Sequence, residues 1–256
     1  MSQGAISEDV SVEVRDDHVA MVEFDRPPHN YFDAALIEQI ANAYDALDDD
    51  QACRAIVLCS AGKHFCAGAN FASKNPAEGG HLYEQAIRLF AAKTPVVAAV
   101  QGAAVGGGLG VALSADFRVA SPESRFSANF SRLGIHHGFG LTVTLPPVVG
   151  QQPALELLYT GTRVRGEEAR AIGLCDRLVE PERLREEAIA LAAEIAASAP
   201  LAIRSIRQTM RGDLADRVRA ATAHELEEQG KLFGTADFAE GVAATAERRA
   251  PEFRGE

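Results

Sequence analysis

Two loops rich in glycine and alanine are the segments of this sequence best suited to hold a reacting group. They read GKHFCAGANF at residues 62–71 and QGAAVGGGLG at residues 101–110. Small side chains let backbone N–H groups approach a ligand closely. The second loop also leads into a predicted short helix, whose N-terminal partial positive charge favours anions. Such loops can hold a ligand through main-chain donors.

Three uses of these glycines compete on the residues alone. The first is phosphate binding, but neither the GxGxxG pattern nor the Walker lysine pattern occurs in these loops. The second is close packing of a strand against a helix. The third is an oxyanion hole, in which one backbone amide from each loop stabilises a negatively charged oxygen. The loops by themselves do not decide between these uses.

Two neighbouring histidines, His136 and His137 in LGIHHGFG, are the other candidates for chemistry. An imidazole has an ordinary pKa of about 6.5 and exchanges a proton near neutral pH. The alternative interpretation is that one histidine is structural and hydrogen-bonded while the other faces solvent. The four cysteines form no CxxC pair, so neither a disulfide framework nor a metal site is expected.

The composition limits the function classes that these groups can serve. The chain has 256 residues, of which 47% are hydrophobic and 24% charged, as in a globular protein with a sizeable core. Its formal net charge of −11 argues against binding to nucleic acid or to a membrane surface. No cationic segment leads into an apolar one, and no run reaches the roughly 18 apolar residues of a spanning helix. A cytoplasmic location is therefore expected.

Strands and helices alternate through the first half of the chain. Apolar alternation around the turn RDDH predicts a hairpin, and apolar runs predict further strands; together these strands are 10–14, 19–24, 55–60, 95–100 and 116–121. Helices are predicted over 33–47 and 82–92 and within GGGLGVALSA. Buried parallel strands with helical crossovers account for this order. After about residue 150 only one strand, 176–180, is predicted, and helices dominate over 183–197, 201–211, 217–233 and 236–249.

These residues resemble the enoyl-CoA hydratase/isomerase (crotonase) superfamily over nearly the whole chain, from FDRPPHN to FAEGVAATAERRAPEF. The pairing of the AGAN loop with the GGG loop is specific to that family. The resemblance implies an α/β fold with a crotonase-like spiral of ββα repeats over residues 1–195. It also implies a helical C-terminal trimerisation region over 196–256, and hence a homotrimer or a dimer of trimers.

An acyl-CoA thioester is the substrate that the resemblance implies, with coenzyme A as part of that substrate and no separate cofactor. The reaction would be that of a lyase or an isomerase. By motif position, the oxyanion donors are the backbone amides of Ala69 and Gly107, which would stabilise a thioester enolate. Coenzyme A contacts are implied for Arg26, Ala67, Asn70, Phe71, Arg248 and Phe253. Family members usually have Asp at the position of Asn70.

The sequence departs from the family pattern where the acids should be. Hydratases of the family carry catalytic glutamates at the positions of Gly110 and Phe130, and isomerases often carry an acid at the position of Gly138. Without them the two-glutamate hydration mechanism is not available. Proton transfer is therefore assigned to His136 or His137, the titratable residues of this loop.

Weaker candidates and other functions stay open. His81, Tyr83 and Glu84 lie in a region that covers the acyl pocket in family members, and they are interpreted as lid or surface residues. One alternative function is a non-catalytic acyl-CoA-binding homologue. The other is a different crotonase reaction, namely thioester hydrolysis, decarboxylation or double-bond isomerisation.

Overall fold

A mostly parallel sheet is the frame that positions both loops. The computed structural model describes residues 2–5, 8–69 and 78–256, with side chains for 8–69 and 80–256. Within them, seven strands lie in the order β1 (Ser2–Ala5), β2 (Val10–Val14), β3 (Val19–Phe24), β4 (Ala55–Ser60), β5 (Val96–Val100), β7 (Phe117–Ala120) and β10 (Arg177–Leu178). The first three strands are antiparallel, and all pairings from β3 onward are parallel.

Helices cover both faces of this sheet, so its central strands are apolar on both sides. Along β4, Ile56 and Leu58 face the larger core, which holds α1 (Ala34–Asp49) and α2 (Glu78–Ala91). Val57 and Cys59 face α7 (Leu184–Ala196) on the other side. This alternation is the period of two that a strand imposes. It explains why the strand reads as a continuous apolar run.

A second, smaller sheet fixes the start of the helix that follows the glycine-rich loop. It consists of β6 (Ala103–Val105), β8 (Arg125–Ser127) and β9 (Arg163–Arg165), in the order β6-β8-β9. Strand β6 is followed at once by Gly106, whose φ of 57° turns the chain into α3 (Gly107–Ser114). The N–H of Gly106 donates to the carbonyl of Ser127 at 2.8 Å. The direction of α3 is therefore set by β8.

The C-terminal half is helical. Its helices are α4 (Leu141–Val149), α5 (Gln151–Thr160), α6 (Gly166–Ala171), α7, α8 (Pro200–Arg211), α9 (Leu214–Leu232) and α10 (Ala236–Glu247). Arg207 and Arg211 of α8 both pair with Asp116, at 2.9 and 2.8 Å, which ties α8 to the sheet. Among the described residues no helix on its own is long and apolar enough to cross a bilayer. Pro181–Ala196 and Pro200–Arg211 satisfy length and composition only as a pair bent by 105°.

Most of the predicted elements are confirmed, and one expectation is wrong. The hairpin, the strand 55–60 and the C-terminal helices occur where predicted, with ends that differ by a few residues. The expectation of a single strand after about residue 150 is wrong, because β9 also lies there. It has three residues with only Val164 buried, so it carries no periodic signal. The division at residue 195 stays a prediction.

Candidate functional site

The two glycine-rich loops run side by side in the same direction. Cys66 and Ala104 form a parallel bridge, and the N–H of Val105 donates to the carbonyl of Cys66 at 3.0 Å. Three residues beyond this bridge are Ala69 and Gly107, each directly after a glycine with positive φ, Gly68 and Gly106. Adjacent paired chains are about 4.8 Å apart. The bridge therefore holds the two loops that carry these residues next to each other.

Gly107 presents a main-chain donor because it is the first residue of α3. The N–H of a first helical residue has no acceptor inside its own helix. Later donors of the same turn are already bonded, since Leu109 and Gly110 both donate to the carbonyl of Gly106, at 3.1 and 3.3 Å. The partial positive charge of the helix N-terminus adds to this donor.

Ala69 presents its N–H away from the chain that it pairs with. Phe32 and Ala69 form a parallel bridge, in which the N–H of Phe32 donates to the carbonyl of Gly68 at 3.0 Å. In a parallel bridge of this kind the N–H of Ala69 itself is not bonded to the chain of Phe32 and points to the other side. Gly68 has a φ of 105° and lies against the carbonyl of Val105, which brings the turn close to β6.

Aromatic rings pack beneath the two donors. A Cβ atom at Gly107 would lie 2.3 Å from Cζ of Phe32, so the ring occupies the space of any side chain there. Phe32 and Phe139 are both buried and meet edge to face, with ring centroids 5.5 Å apart. The site is therefore apolar next to its main-chain donors, which strengthens their electrostatic effect.

Other side chains fill the space where the family pattern places acids. A Cβ atom at Gly110 would lie 2.5 Å from Cδ1 of Phe139, and one at Gly138 would lie 2.0 Å from the hydroxyl oxygen of Tyr83. Tyr83, for which we expected a lid or surface position, is 8% exposed, and its hydroxyl donates to Gln229 at 3.0 Å. Burial raises the pKa of the Tyr83 phenol well above its usual value, so it stays a neutral donor.

The two histidines stack on each other but have different partners. Their ring centroids are 4.2 Å apart. Nδ1 of His136 lies 2.8 Å from the carbonyl oxygen of His137, whereas Nε2 of His137 lies 2.8 Å from the hydroxyl oxygen of Thr142. Burial, with repulsion from His136 and His224, lowers the pKa of His137 to about 4. At neutral pH this imidazole is therefore uncharged and can accept a proton.

Glu225 of α9 is a residue of this site that our sequence analysis missed. It is fully buried, and its carboxylate accepts hydrogen bonds from the N–H of Gly140 at 2.8 Å and of Thr142 at 3.1 Å. One signal could have found it, because polar residues share the buried stripe of α9 at helical spacing. The members of that stripe are Val218, Thr222, Glu225 and Gln229.

Ala67 and Arg26, for which the resemblance implies coenzyme A contacts, are both bonded to other residues of the protein. The N–H of Ala67 donates to the carbonyl of His29 at 3.1 Å. The guanidinium of Arg26 bridges Asp9 and Asp33, each at 2.6 Å. This double pairing links the hairpin to the N-terminus of α1, where Asp33 is the N-cap. A coenzyme A contact of Arg26 stays a prediction.

The remaining coenzyme A assignments also stay predictions. Asn70 and Phe71 lie outside the described residues. Arg248 is exposed and follows α10 in the left-handed conformation with a φ of 58°, and Phe253 is 41% exposed. Both lie on the outer, C-terminal part of the chain, and none of the interactions described for them places them beside the two loops.

Thiols and metals do not add reactive groups to the described part of this site. Cys66, in the first loop, is buried, and burial raises the pKa of its thiol to about 12. It therefore packs as a small apolar residue. Within residues 8–69 and 80–256, no three His, Cys, Asp or Glu side chains are grouped so that they could hold a metal ion.

Over nearly its whole length the chain is similar to known proteins. A family model described as enoyl-CoA hydratase/isomerase matches residues 15–256. Crotonyl-CoA hydratase of Syntrophomonas wolfei is 33% identical over 248 residues, which cover 93% of this chain and 95% of that protein. Among solved structures, an enoyl-CoA hydratase/isomerase from Pseudoalteromonas atlantica T6c superposes with a TM-score of 0.87 at 28% identity, covering 96% of this chain and 100% of that one. A carnitinyl-CoA dehydratase from Mycobacterium avium 104 superposes with a TM-score of 0.86 at 29% identity, covering 98% and 100%. The expected crotonase-like fold is thereby confirmed.

The depressed pKa of His137 predicts a specific loss of stability in acid. The unfolded chain binds a proton on this histidine near pH 6.5, whereas the folded chain binds one only near pH 4. Acidification through this interval therefore favours unfolding, by up to about 3 kcal/mol. Denaturant titrations at several pH values should show this loss. In His137→Gln, the free energy of unfolding should depend less steeply on pH over this interval. Parallel curves for the two proteins would contradict the assignment.

A second substitution tests the cause of the shift. Repulsion from His136 contributes to the low pKa of His137. In His136→Gln the pKa of His137, followed by NMR, should therefore rise toward its ordinary value without reaching it, because burial is the larger cause. An unchanged titration of His137 would contradict this repulsion as a cause of its low pKa.

Proposed function

This chain belongs to the enoyl-CoA hydratase/isomerase family, and from that premise we propose that it binds an acyl-CoA thioester between its two glycine-rich loops. The backbone N–H groups of Ala69 and Gly107 hold the thioester carbonyl oxygen. The observation that supports the proposal is the parallel bridge between Cys66 and Ala104, because it holds the loop of Ala69 beside the segment that leads to Gly107. Their task is to stabilise the enolate more than the ground state.

His137 is the proton acceptor in this proposal. The Cα–H bond of the thioester breaks, its proton moves to the imidazole, and its electron pair forms the enolate whose charge collects on the oxygen. A base must be uncharged at the working pH, and the low pKa of His137 keeps it so at neutrality. The same low pKa makes the imidazole a weak base, and its protonated form a strong acid, until enolate charge is present. His136 stacks on this ring, with its own Nδ1 2.8 Å from the carbonyl oxygen of His137.

Water addition by two glutamates does not fit the residues present. Gly110 and Phe130 stand at the glutamate positions that the family pattern gives, and Phe139 fills the space beside Gly110. Enolate formation needs only the oxyanion donors and one base. It is a step of double-bond isomerisation, so an isomerase-type proton transfer is the reaction that this site supports best.

A non-catalytic acyl-CoA-binding protein is the second candidate. The observation that favours it is the filling of both acid positions, since Phe139 occupies the space at Gly110 and Tyr83 the space at Gly138. In that case the loops still hold the thioester, but no group exchanges a proton with it.

Deuterium exchange separates the two candidates. The protein is incubated in D₂O with enoyl-, hydroxyacyl-, malonyl- and aryl-CoA thioesters, and mass spectrometry measures deuterium uptake, water addition and release of coenzyme A. We expect uptake at Cα of at least one thioester, lowered about 10²-fold or more in His137→Gln. His81→Gln is the matched control, because this imidazole is half exposed, and it should exchange like the parent protein. Binding without any change in mass would support the non-catalytic candidate.

Two variants at Gly107 test the oxyanion donor itself. Any Cβ atom at this position meets Cζ of Phe32, so both variants are made together with Phe32→Leu, which removes that atom. Gly107→Ala keeps the N–H and Gly107→Pro removes it, and proline is tolerated at the first position of a helix. The proline variant should exchange about 10²- to 10³-fold more slowly than the alanine variant. Equal rates in two folded proteins would exclude Gly107 as a donor.

We also propose that the chain assembles as a trimer or a dimer of trimers. Three apolar side chains of α8 support an interface, because Leu201 and Met210 are each 81% exposed and Ile206 is 57% exposed. Sedimentation equilibrium should give three or six times the chain mass of 27.2 kDa. A mass of one chain at micromolar concentration would contradict this assembly.

A further inference from the structure

A carboxylate that the proposed mechanism does not use lies beside the proposed base. Glu225 is fully buried in α9, and its Oε1 is 3.9 Å from Nε2 of His137. A buried carboxylate is costly unless hydrogen bonds satisfy it. Three donors do so here, namely the N–H groups of Gly140 and Thr142 and the hydroxyl of Thr142, the last at 2.6 Å. The position of this carboxylate is thereby fixed at the N-terminus of α4.

The hydroxyl of Thr142 has one proton, and its two contacts decide where that proton goes. The carboxylate of Glu225 can only accept, so the hydroxyl donates to it. The second contact of the hydroxyl oxygen is Nε2 of His137 at 2.8 Å. An oxygen that has already donated its proton must accept there, so Nε2 carries a hydrogen. In an uncharged imidazole the in-plane lone pair then lies on the other ring nitrogen, Nδ1.

We propose that Thr142 and Glu225 are positioning residues that hold His137 as its Nε2–H tautomer and leave Nδ1 as the proton acceptor. The inference rests on the proposed function, in which His137 removes the Cα proton. A carboxylate that acts through a hydroxyl gives the imidazole both its orientation and its tautomer, which hydrogen bonds to the other ring nitrogen are known to set. When His137 gains its proton, the carboxylate of Glu225, hydrogen-bonded through Thr142, stabilises the resulting positive charge.

The other described neighbours of the His137 ring are aromatic rings, so its hydrogen bond with Thr142 is the described contact that fixes its tautomer. His136 stacks on one side at 4.2 Å between centroids, and Phe130 meets the ring edge to face at 6.5 Å. His224 lies beyond His136, with its centroid 6.0 Å from that ring. These neighbours restrict the tilt of the imidazole and add repulsion, and the hydrogen bond described to a ring nitrogen of His137 is the one with Thr142.

Thr142→Val and Thr142→Ser are the matched pair that tests the relay. Valine removes the hydroxyl at nearly the same volume, and serine keeps it. ¹⁵N chemical shifts of the histidine rings in the full-length protein report the tautomer without any substrate. We expect the Nε2–H form of His137 in the parent protein and in Thr142→Ser, and a mixture of tautomers in Thr142→Val. An Nδ1–H form in the parent, or no change in the valine variant, overturns the proposal.

The catalytic part is measured as deuterium exchange with butyryl-CoA and 3-butenoyl-CoA as probes, whose sp3 Cα–H bonds can give an enolate or a dienolate. Thr142→Val should lower kcat by about tenfold or more with little change in KM, because the base loses alignment and not substrate contacts, whereas Thr142→Ser should retain most of the rate. Equal kcat in the valine variant overturns the positioning role. If the parent protein exchanges neither probe nor any thioester of the wider panel, the proposed function fails. The ring shifts still decide the tautomer in that case.

Discussion

The close approach of two glycine-rich chains is the constraint on which the site depends. At Gly108 a Cβ atom would lie 2.4 Å from the carbonyl oxygen of Cys66, so the first turn of α3 can pack on the first loop only without a side chain there. This contact, with the bridge between Cys66 and Ala104, holds the start of α3 against the turn that carries Ala69. Any displacement of one loop would change the distance between Ala69 and Gly107, the two donors of the proposed oxyanion hole.

Aromatic packing then determines which chemistry remains possible between those loops. Phe139 has a φ of 64°, in the left-handed region that bulky residues rarely adopt. Its ring is buried against Phe32 and in the space beside Gly110, and this packing offsets the backbone strain. The strained loop in turn places His137 and Gly140 on either side of Phe139. Filling the acid position and presenting the histidine are therefore two consequences of one conformation.

The sequence predicts the frame well because local patterns determine it. Strand β4 is a run of apolar residues, and α1 has an Asp33 cap and a regular apolar stripe, so both are predictable without tertiary information. By contrast, α4 contains Pro146 and Pro147 and β-branched residues, and its N-terminus is held by the distant carboxylate of Glu225. No residue near α4 in the sequence predicts that its N-terminus will be hydrogen-bonded by Glu225. The family resemblance is enough to predict the main-chain donors Ala69 and Gly107, whereas the hydrogen-bond partners of His137 are found only in the folded structure.

The low pKa of His137 makes it a weak base, so other groups of the proposed site have to assist the proton transfer. One pKa unit corresponds to about 1.4 kcal/mol, so a base whose pKa is about 4 is weaker than an ordinary imidazole by about 3 kcal/mol. The oxyanion donors and the charge on the enolate have to supply that difference during proton transfer. Burial, which is the main cause of the low pKa, also strengthens the attraction between imidazolium and enolate in the transition state. The buried carboxylate of Glu225, reached through Thr142, acts in the same direction. The free-energy cost of protonating His137 is therefore largest when the site is empty. It decreases as the imidazolium and enolate charges form together.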